Sequence, residues 1–337
     1  MIEYVNRHSL LAEMINQLQA LRPQVDWSWI PLPEASSQLF NICKVDKEID
    51  RFCAGVVACG SCITLAISPF LKEGWSSQDI QINFDTSVEF HVPDLEKAIF
   101  DSYFYNNYDS KRFFNDGDKY SLNNNPIVFS DSPDLHITLL RTRYSVVEFY
   151  RDNFAKLVLE RNRLLDELIN HSRVSFPSSL CLHSVVVTND HKLLVSRRSP
   201  KVGHYPKKWS ISLEEQIKAP DLFPVTGNAV SRLAIRMLKE ELGIDESAIS
   251  SNGVRVLSVF VETDILNCSL MSVIYLNLSS SILDKFIRNS SRSDYEFDSW
   301  KFQSHEQVIN DLNERLEDYH PSAGYRMLMY SKHLQEK

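Results

Sequence analysis

The chain has 337 residues, which is enough for two domains with buried cores. Hydrophobic residues make up 43% and charged residues 24% of the sequence, as in ordinary globular proteins. The formal net charge of -8 argues against a general nucleic-acid binder, which needs a concentrated basic face. No apolar run approaches the roughly 18 residues of a membrane-spanning helix, and the first residues lack a signal-peptide pattern. We therefore expect a cytoplasmic protein without a membrane partner.

Six cysteines include one C-x-x-C pair, Cys59 and Cys62. A metal site built on this pair would need further ligands, and none is apparent nearby. The surrounding segment, CAGVVACGSCITLAI, is strongly apolar. We interpret these cysteines as small buried thiols in a reducing compartment.

Residues 1–174 are predicted to form an α+β domain. The apolar spacing of the first 22 residues predicts a helix. The apolar segment 53–71 is a buried strand or a buried helix, because periodicity does not separate the two. Residues 106–126 are rich in Asn, Asp, Ser and Tyr and are predicted to be a long surface loop. The segments IVFSD and LHITLLRTRY then predict strands, and residues 144–171 predict a long helix.

The segment SFPSS marks a predicted boundary, so that residues 175–337 form a second domain. LHSVVVTNDHKLLVSRRS predicts a hairpin, WSISLEEQI a strand, and KAPDLFPVTG a loop. Asn228 is a good N-cap for a helix from Ala229 to Leu242, which Gly243 ends. Two further strands, a short strand YEFDSWKF, an amphipathic helix HEQVINDLNERL and a closing helix near residues 322–334 follow. This alternation predicts an α/β/α sandwich with a mixed sheet.

The predicted helix ends in RMLKEELGI, residues 236–244, and this stretch resembles the signature of the Nudix hydrolases. The family's box is G-x5-E-x7-R-E-U-x-E-E-x-G-U, where U is a bulky apolar residue. The residues that match its second half are Arg236, Leu238, Glu240, Glu241, Gly243 and Ile244. The resemblance spans roughly residues 178–335, and residues 1–174 resemble no family that we can name.

The resemblance implies a Nudix-like fold and hydrolysis of a diphosphate linkage in a nucleoside-diphosphate-linked substrate. It also implies Mg²⁺ or Mn²⁺ as cofactor, because helical side chains at i, i+3 and i+4 share a face and carboxylates there bind hard cations. Glu240 and Glu241 are the implied catalytic residues and metal ligands. Arg236 is the implied residue that orients a glutamate.

The sequence departs from the box in two places. Met237 replaces a glutamate, and a thioether is a poor ligand for Mg²⁺. Counting back without gaps places Asn228 and Leu222 where the family has an acid and a glycine. We prefer to align Glu214 and Glu215 with the upstream acid, which requires an insertion of about thirteen residues. Either of these two glutamates could then supply a metal ligand, although side chains alternate along a strand and at least one must face away.

Several alternatives stay open at this point. Met237 also belongs to an apolar stripe and could simply fill the core. Arg236 and Glu240 could be an ordinary surface pair. The main alternative to a hydrolase is therefore a catalytically impaired Nudix-like module that binds a nucleotide or a protein partner. An isomerase acting on a diphosphate is a third reading that no residue singles out, and a homodimer is also left open.

Other residues are weaker candidates for the same site. Glu262 and Glu296 could supply a further acid after the box. The predicted substrate-binding residues for a nucleotide-type small molecule are Arg197, Arg198, Lys208 and Trp209, since guanidinium groups match phosphate oxygens. Each has an ordinary structural interpretation as well, and Trp209 is also a good core residue.

Overall fold

The computed structural model describes residues 27–28, 44–46, 57–59, 62–109, 116–123, 127–128, 134–154, 177–223, 228–262, 265–290 and 296–335. The helix predicted over the first 22 residues lies outside these ranges, as does the part of the predicted 144–171 helix after residue 154.

Within these ranges, fifteen strands join into one mixed sheet. They are β1 Trp27–Ser28, β2 Lys44–Asp46, β3 Val57–Cys59, β4 Cys62–Ile67, β5 Ile80–Glu89, β6 Asp118–Leu122, β7 Ile127–Val128, β8 Leu135–Arg143, β9 Ser179–Val187, β10 Leu193–Arg198, β11 Trp209–Ile211, β12 Leu213–Gln216, β13 Ile249–Glu262, β14 Asn267–Leu276 and β15 Phe297–Gln303. The helices are α1 Asp94–Asp109, α2 Tyr144–Phe154, α3 Ala219–Leu222, α4 Ala229–Met237, α5 Ser280–Asn289, α6 His305–Arg315 and α7 Ala323–Gln335.

The longest path through the sheet runs β1-β2-β3-β4-β13-β14-β9-β6-β8-β5. The pairs β14–β9 and β5–β8 are parallel, and the other pairs on this path are antiparallel. Strand β10 joins β9, β11 and β15, and β12 pairs with β9. Strands before residue 175 are thus hydrogen-bonded to later ones through β4–β13 and β6–β9. The domain boundary near residue 175 stays a prediction.

Two apolar clusters pack against the C-terminal strands, one on each face of the sheet. Consecutive residues of β14 separate into them: Leu270 belongs to the cluster that contains Leu233 of α4, and Met271 belongs to the cluster that contains Leu328 of α7. This alternation follows from the two-residue period of a strand. The predicted α/β/α sandwich with a mixed sheet is confirmed.

The C-terminal elements agree well with the sequence predictions. β9 and β10 form the predicted hairpin, in which the Thr188 N–H donates to the Lys192 carbonyl at 2.9 Å. Asn228 caps α4 by accepting a hydrogen bond from the Ser231 N–H at 3.0 Å. The predicted strand WSISLEEQI is divided into β11 and β12, and the predicted loop after it contains the short helix α3.

Two predictions for the N-terminal half are corrected or resolved. The predicted surface loop over 106–126 is wrong in part, because α1 extends to Asp109 and β6 occupies Asp118–Leu122. β6 is polar in sequence but buries its last three residues between β8 and β9, a pairing that periodicity does not reveal. The ambiguous segment 53–71 contains strands β3 and β4, and the Cys62 thiol is buried as expected. In the described part of the chain, no helix is long and apolar enough to cross a membrane.

Candidate functional site

The signature helix does not keep α-helical geometry to its end. After α4, the residues Leu238–Leu242 form a π-helical turn that stops at Gly243, whose φ is 71°. A Cβ at Gly243 would lie 3.2 Å from the Ser290 Cβ, so both the backbone and the packing favour glycine. Single π-helical turns are frequently found at functional sites. This one carries Glu240 and Glu241.

Met237, which replaces a glutamate of the box, is completely buried. It packs in the same apolar cluster as Val230, Leu233 and Leu238. Met237 therefore fills the apolar core, as one of the two interpretations of the sequence expected.

Arg236 is the centre of a carboxylate cluster. Its Nε lies 3.0 Å from Asp221 Oδ1 and its Nη2 lies 2.7 Å from Asp221 Oδ2. Nη2 also donates to the Gln216 carbonyl at 2.7 Å, while Nη1 lies 3.1 Å from Glu215 Oε1 and 3.4 Å from Glu240 Oε2. Burial alone would lower the pKa of Arg236, but Asp221 and Glu215 outweigh this and raise it. The guanidinium thus links Glu215 of β12 and Asp221 of α3 to Glu240 of the π-helical turn.

Asp221 is a partner that the sequence did not reveal. Its side chain is 2% exposed, and it lies inside the segment that we treat as an insertion into the box. The Lys218 N–H donates to Asp221 Oδ2 at 2.8 Å. The insertion therefore contributes the main anchor of Arg236.

Glu214 and Glu215 face opposite sides of β12, as alternation requires. Glu215 faces the signature helix and contacts Arg236 at 3.1 Å and the Lys218 ammonium at 3.2 Å. Glu214 faces α7 instead, where it pairs with Arg198 at 2.8 Å and with Arg326. Burial raises the pKa of Glu214, but the guanidinium groups of Arg198 and Arg326 outweigh this and hold it well below its ordinary value.

The two glutamates of the π turn have different surroundings. Glu240 is 36% exposed and lies 3.5 Å from the Lys218 ammonium. Glu241 is buried, and its Oε1 has no hydrogen-bond partner within the described residues. Burial raises the pKa of Glu241 well above its ordinary value, and the negative charges of Glu215, Glu296 and Glu214 raise it further.

A divalent cation fits this cluster in charge and in donor type. Carboxylate oxygens are the ligands that Mg²⁺ prefers, and a bound cation would relieve the repulsion around Glu241. Burial raises the pKa of Glu296, and the negative charge of Glu215 raises it further. Among the described residues, no three His, Cys, Asp or Glu side chains are already arranged around a common metal position. The ligand roles of Glu214, Glu215, Glu240 and Glu241 therefore stay predictions.

The other acid considered from the sequence, Glu262, lies on the α7 side of the sheet. Its carboxylate is fully buried, 3.5 Å from His183 Nε2 and 3.7 Å from His320 Nδ1. The structure thus places Glu262 near Glu214, because both carboxylates lie 3.7 Å from ring nitrogens of His320.

The predicted substrate-binding side chains already have partners in the fold. Arg198 donates to Glu214, the Arg197 Nε donates to the Lys207 carbonyl at 3.2 Å, and Lys208 donates to the Glu317 carbonyl. Trp209 is half-buried against the second apolar cluster, with the Lys301 ammonium 4.7 Å from the centre of its ring. Roles for these four residues in substrate binding stay predictions.

The chain matches no protein-family model and no curated protein. Solved structures similar to it include a Nudix hydrolase from Nitrosomonas europaea, at 12% identity and a TM-score of 0.32, covering 48% of this chain and 91% of that one. The MutT protein from Methanosarcina mazei Go1 is similar at 14% identity and a TM-score of 0.30, covering 47% and 95%. An Ap4A hydrolase from C. elegans is similar at 14% identity and a TM-score of 0.29, covering 47% and 98%. The resemblance to Nudix hydrolases noted in the sequence is accompanied by this partial likeness to solved members of that family.

Proposed function

We propose that the chain is a Nudix-type hydrolase that uses Mg²⁺ or Mn²⁺ to cleave a diphosphate linkage in a nucleoside-diphosphate-linked substrate. The observation that carries the proposal is the buried carboxylate of Glu241, whose Oε1 has no partner and which is surrounded by the charges of Glu215, Glu296 and Glu214. Such a cluster opposes folding, and perturbed carboxylates of this kind are typical of functional sites.

In this proposal, Arg236 positions Glu215 and Glu240 through its Nη1, which contacts both carboxylates. Glu241, Glu240 and Glu215 would hold the cation, which when bound would neutralise diphosphate charge and make water more acidic. Water adds to one phosphorus, the bridging P–O bond breaks, and the proton released by the water passes to a carboxylate of this cluster.

The second candidate is a module that binds a nucleotide-type ligand without hydrolysing it. Two observations favour it: the core position of Met237, and the lack of three prearranged metal ligands within the described part of the chain. The hydrolase and the binding module would use the same face of the signature helix. The two candidates therefore differ in whether the bound ligand is hydrolysed, and not in where it binds.

Turnover by the purified chain separates these candidates. Nucleoside triphosphates, nucleotide sugars, dinucleoside polyphosphates and ADP-ribose are incubated with Mg²⁺ or Mn²⁺, and products are resolved by chromatography. The proposal expects turnover that Glu241→Gln abolishes and that Glu314→Gln, an exposed acid on α6, leaves intact. Turnover unchanged by Glu241→Gln contradicts the proposed site. Binding without any turnover supports the module instead.

A further inference from the structure

Two positively charged side chains contact the same pair of carboxylate oxygens in the candidate site. The Lys218 Nζ lies 3.2 Å from Glu215 Oε1 and 3.5 Å from Glu240 Oε2. The Arg236 Nη1 lies 3.1 Å and 3.4 Å from the same two oxygen atoms. The proposed function assigns both glutamates to a divalent cation. Two cations of the chain itself therefore contact oxygens that a metal ion would need.

The two side chains differ in how firmly they are held. Arg236 is 15% exposed, and its Nε and Nη2 bind the buried Asp221 carboxylate and the Gln216 carbonyl. The Lys218 side chain is 51% exposed. An ammonium is a compact charge on a flexible stem, whereas a guanidinium is a rigid planar group. Lys218 can therefore leave the carboxylates at little cost, but Arg236 would have to break a buried ion pair.

The inserted segment brings Lys218 to this position. The Lys218 N–H donates to Asp221 Oδ2 at 2.8 Å, so the anchor of Arg236 also fixes the backbone of Lys218. Lys218 directly precedes α3, and Glu215 ends only three residues earlier in the chain. The segment that interrupts the box thus contributes a fixed carboxylate and a movable cation to the same cluster.

The charges of the cluster show what this movable cation does. Asp221 balances Arg236, which leaves Glu215 and Glu240 with two negative charges and the ammonium of Lys218 as their additional counter-charge. A bound Mg²⁺ lies about 2.1 Å from its ligand oxygens, and an ammonium in contact with the same oxygens would repel it strongly. A divalent cation that binds Glu215 and Glu240 must therefore displace Lys218.

We propose that Lys218 is a built-in competitor of the divalent cation. Its ammonium holds the cation position between Glu215 and Glu240 until a metal ion replaces it, and this competition weakens metal binding. The location of the metal site rests on the proposed function, but the competition itself requires no hydrolysis.

Calorimetric titration of the full chain with Mn²⁺, without any nucleotide, tests this proposal. Lys218→Met keeps the length of the side chain and is expected to bind Mn²⁺ about fivefold more tightly than the wild type, the factor that corresponds to one exposed ion pair. Lys218→Arg keeps the charge and is expected not to tighten binding. Without Mn²⁺, Lys218→Met is expected to lower the melting temperature, and added Mn²⁺ should raise it more than in the wild type.

Lys239→Met is the matched control. Lys239 is exposed and directly precedes Glu240 in the sequence, but its charge acts on Asp245. This variant removes the same charge near the cluster and is expected to change Mn²⁺ affinity much less. Equal tightening by the two methionine variants would overturn the proposal, because it would show a general effect of net charge.

The other outcomes separate this proposal from the proposed function. Mn²⁺ binding that Lys218→Met leaves unchanged overturns the competition and leaves the hydrolase standing. Tighter Mn²⁺ binding by Lys218→Met, with no hydrolysis of any diphosphate, sustains the competition and refutes the hydrolase. If neither the wild type nor Lys218→Met binds Mn²⁺, both proposals fail.

Discussion

The ion pair between Arg236 and Asp221 links the inserted segment to the signature helix. Removing this ion pair tests whether the inserted segment stabilises the candidate site. Arg236→Met keeps the length of the side chain but removes the guanidinium, which leaves the Asp221 carboxylate, 2% exposed, without its counter-charge. Breaking a buried ion pair from one side costs about 3–5 kcal/mol. We expect a loss of this size in the free energy of unfolding, measured by urea denaturation without divalent cations.

A surface pair of the same chemistry provides the control. Arg288 lies 2.7 Å from Asp284, but these side chains are 66% and 32% exposed. Exposed pairs are worth at most about 1 kcal/mol, so Arg288→Met should cost little. The double variant Arg236→Met with Asp221→Asn should regain part of the loss, because no buried charge is left at Asp221. Equal small losses for the two arginine variants would refute the assignment of Asp221 as the anchor.

Three other predictions concern the signature helix. The raised pKa of Glu241 means that the folded state binds the proton more tightly than the unfolded state, so stability falls as pH rises above the ordinary carboxyl pKa. Glu241→Gln should remove this fall and raise the melting temperature at pH 7 without metal. An unchanged dependence of the melting temperature on pH would contradict this prediction. Met237→Glu should lower the free energy of unfolding by several kcal/mol, on the order of the cost of an unpaired buried charge, whereas the neutral Met237→Gln should cost less in the same urea titration. Gly243→Ala should cost about 1–2 kcal/mol from its left-handed backbone alone, and no change in the urea midpoint would show that the turn relaxes.

The parts of the fold that the sequence predicted are those with strong local signals. The helix from Ala229 to Leu242 has a capping Asn, an apolar stripe and a terminal Gly, all between residues 228 and 243. β6 has none of these signals, because three of its five residues, Asp118, Lys119 and Ser121, are polar. The strand is buried by pairing with neighbouring strands that are distant in sequence. Local pattern alone therefore assigned it to a loop.

The candidate site was predictable only where its residues are close in sequence. Alternation along β12 predicted that one of Glu214 and Glu215 faces the helix, but not which one. The anchor Asp221 could not be predicted, because its role depends on how the inserted segment folds back onto Arg236.

The pairing of β13 with β4 has a consequence for any attempt to divide the protein. β13 is 14 residues long and lies between β4 on one side and β14 on the other. A shortened chain that begins near residue 175 would lack β4 and leave the outer edge of β13 uncovered. Long apolar edge strands promote association with other chains. In the full chain, β4 covers the Ser258–Glu262 part of this edge, so a shortened chain is expected to associate more readily than the full one.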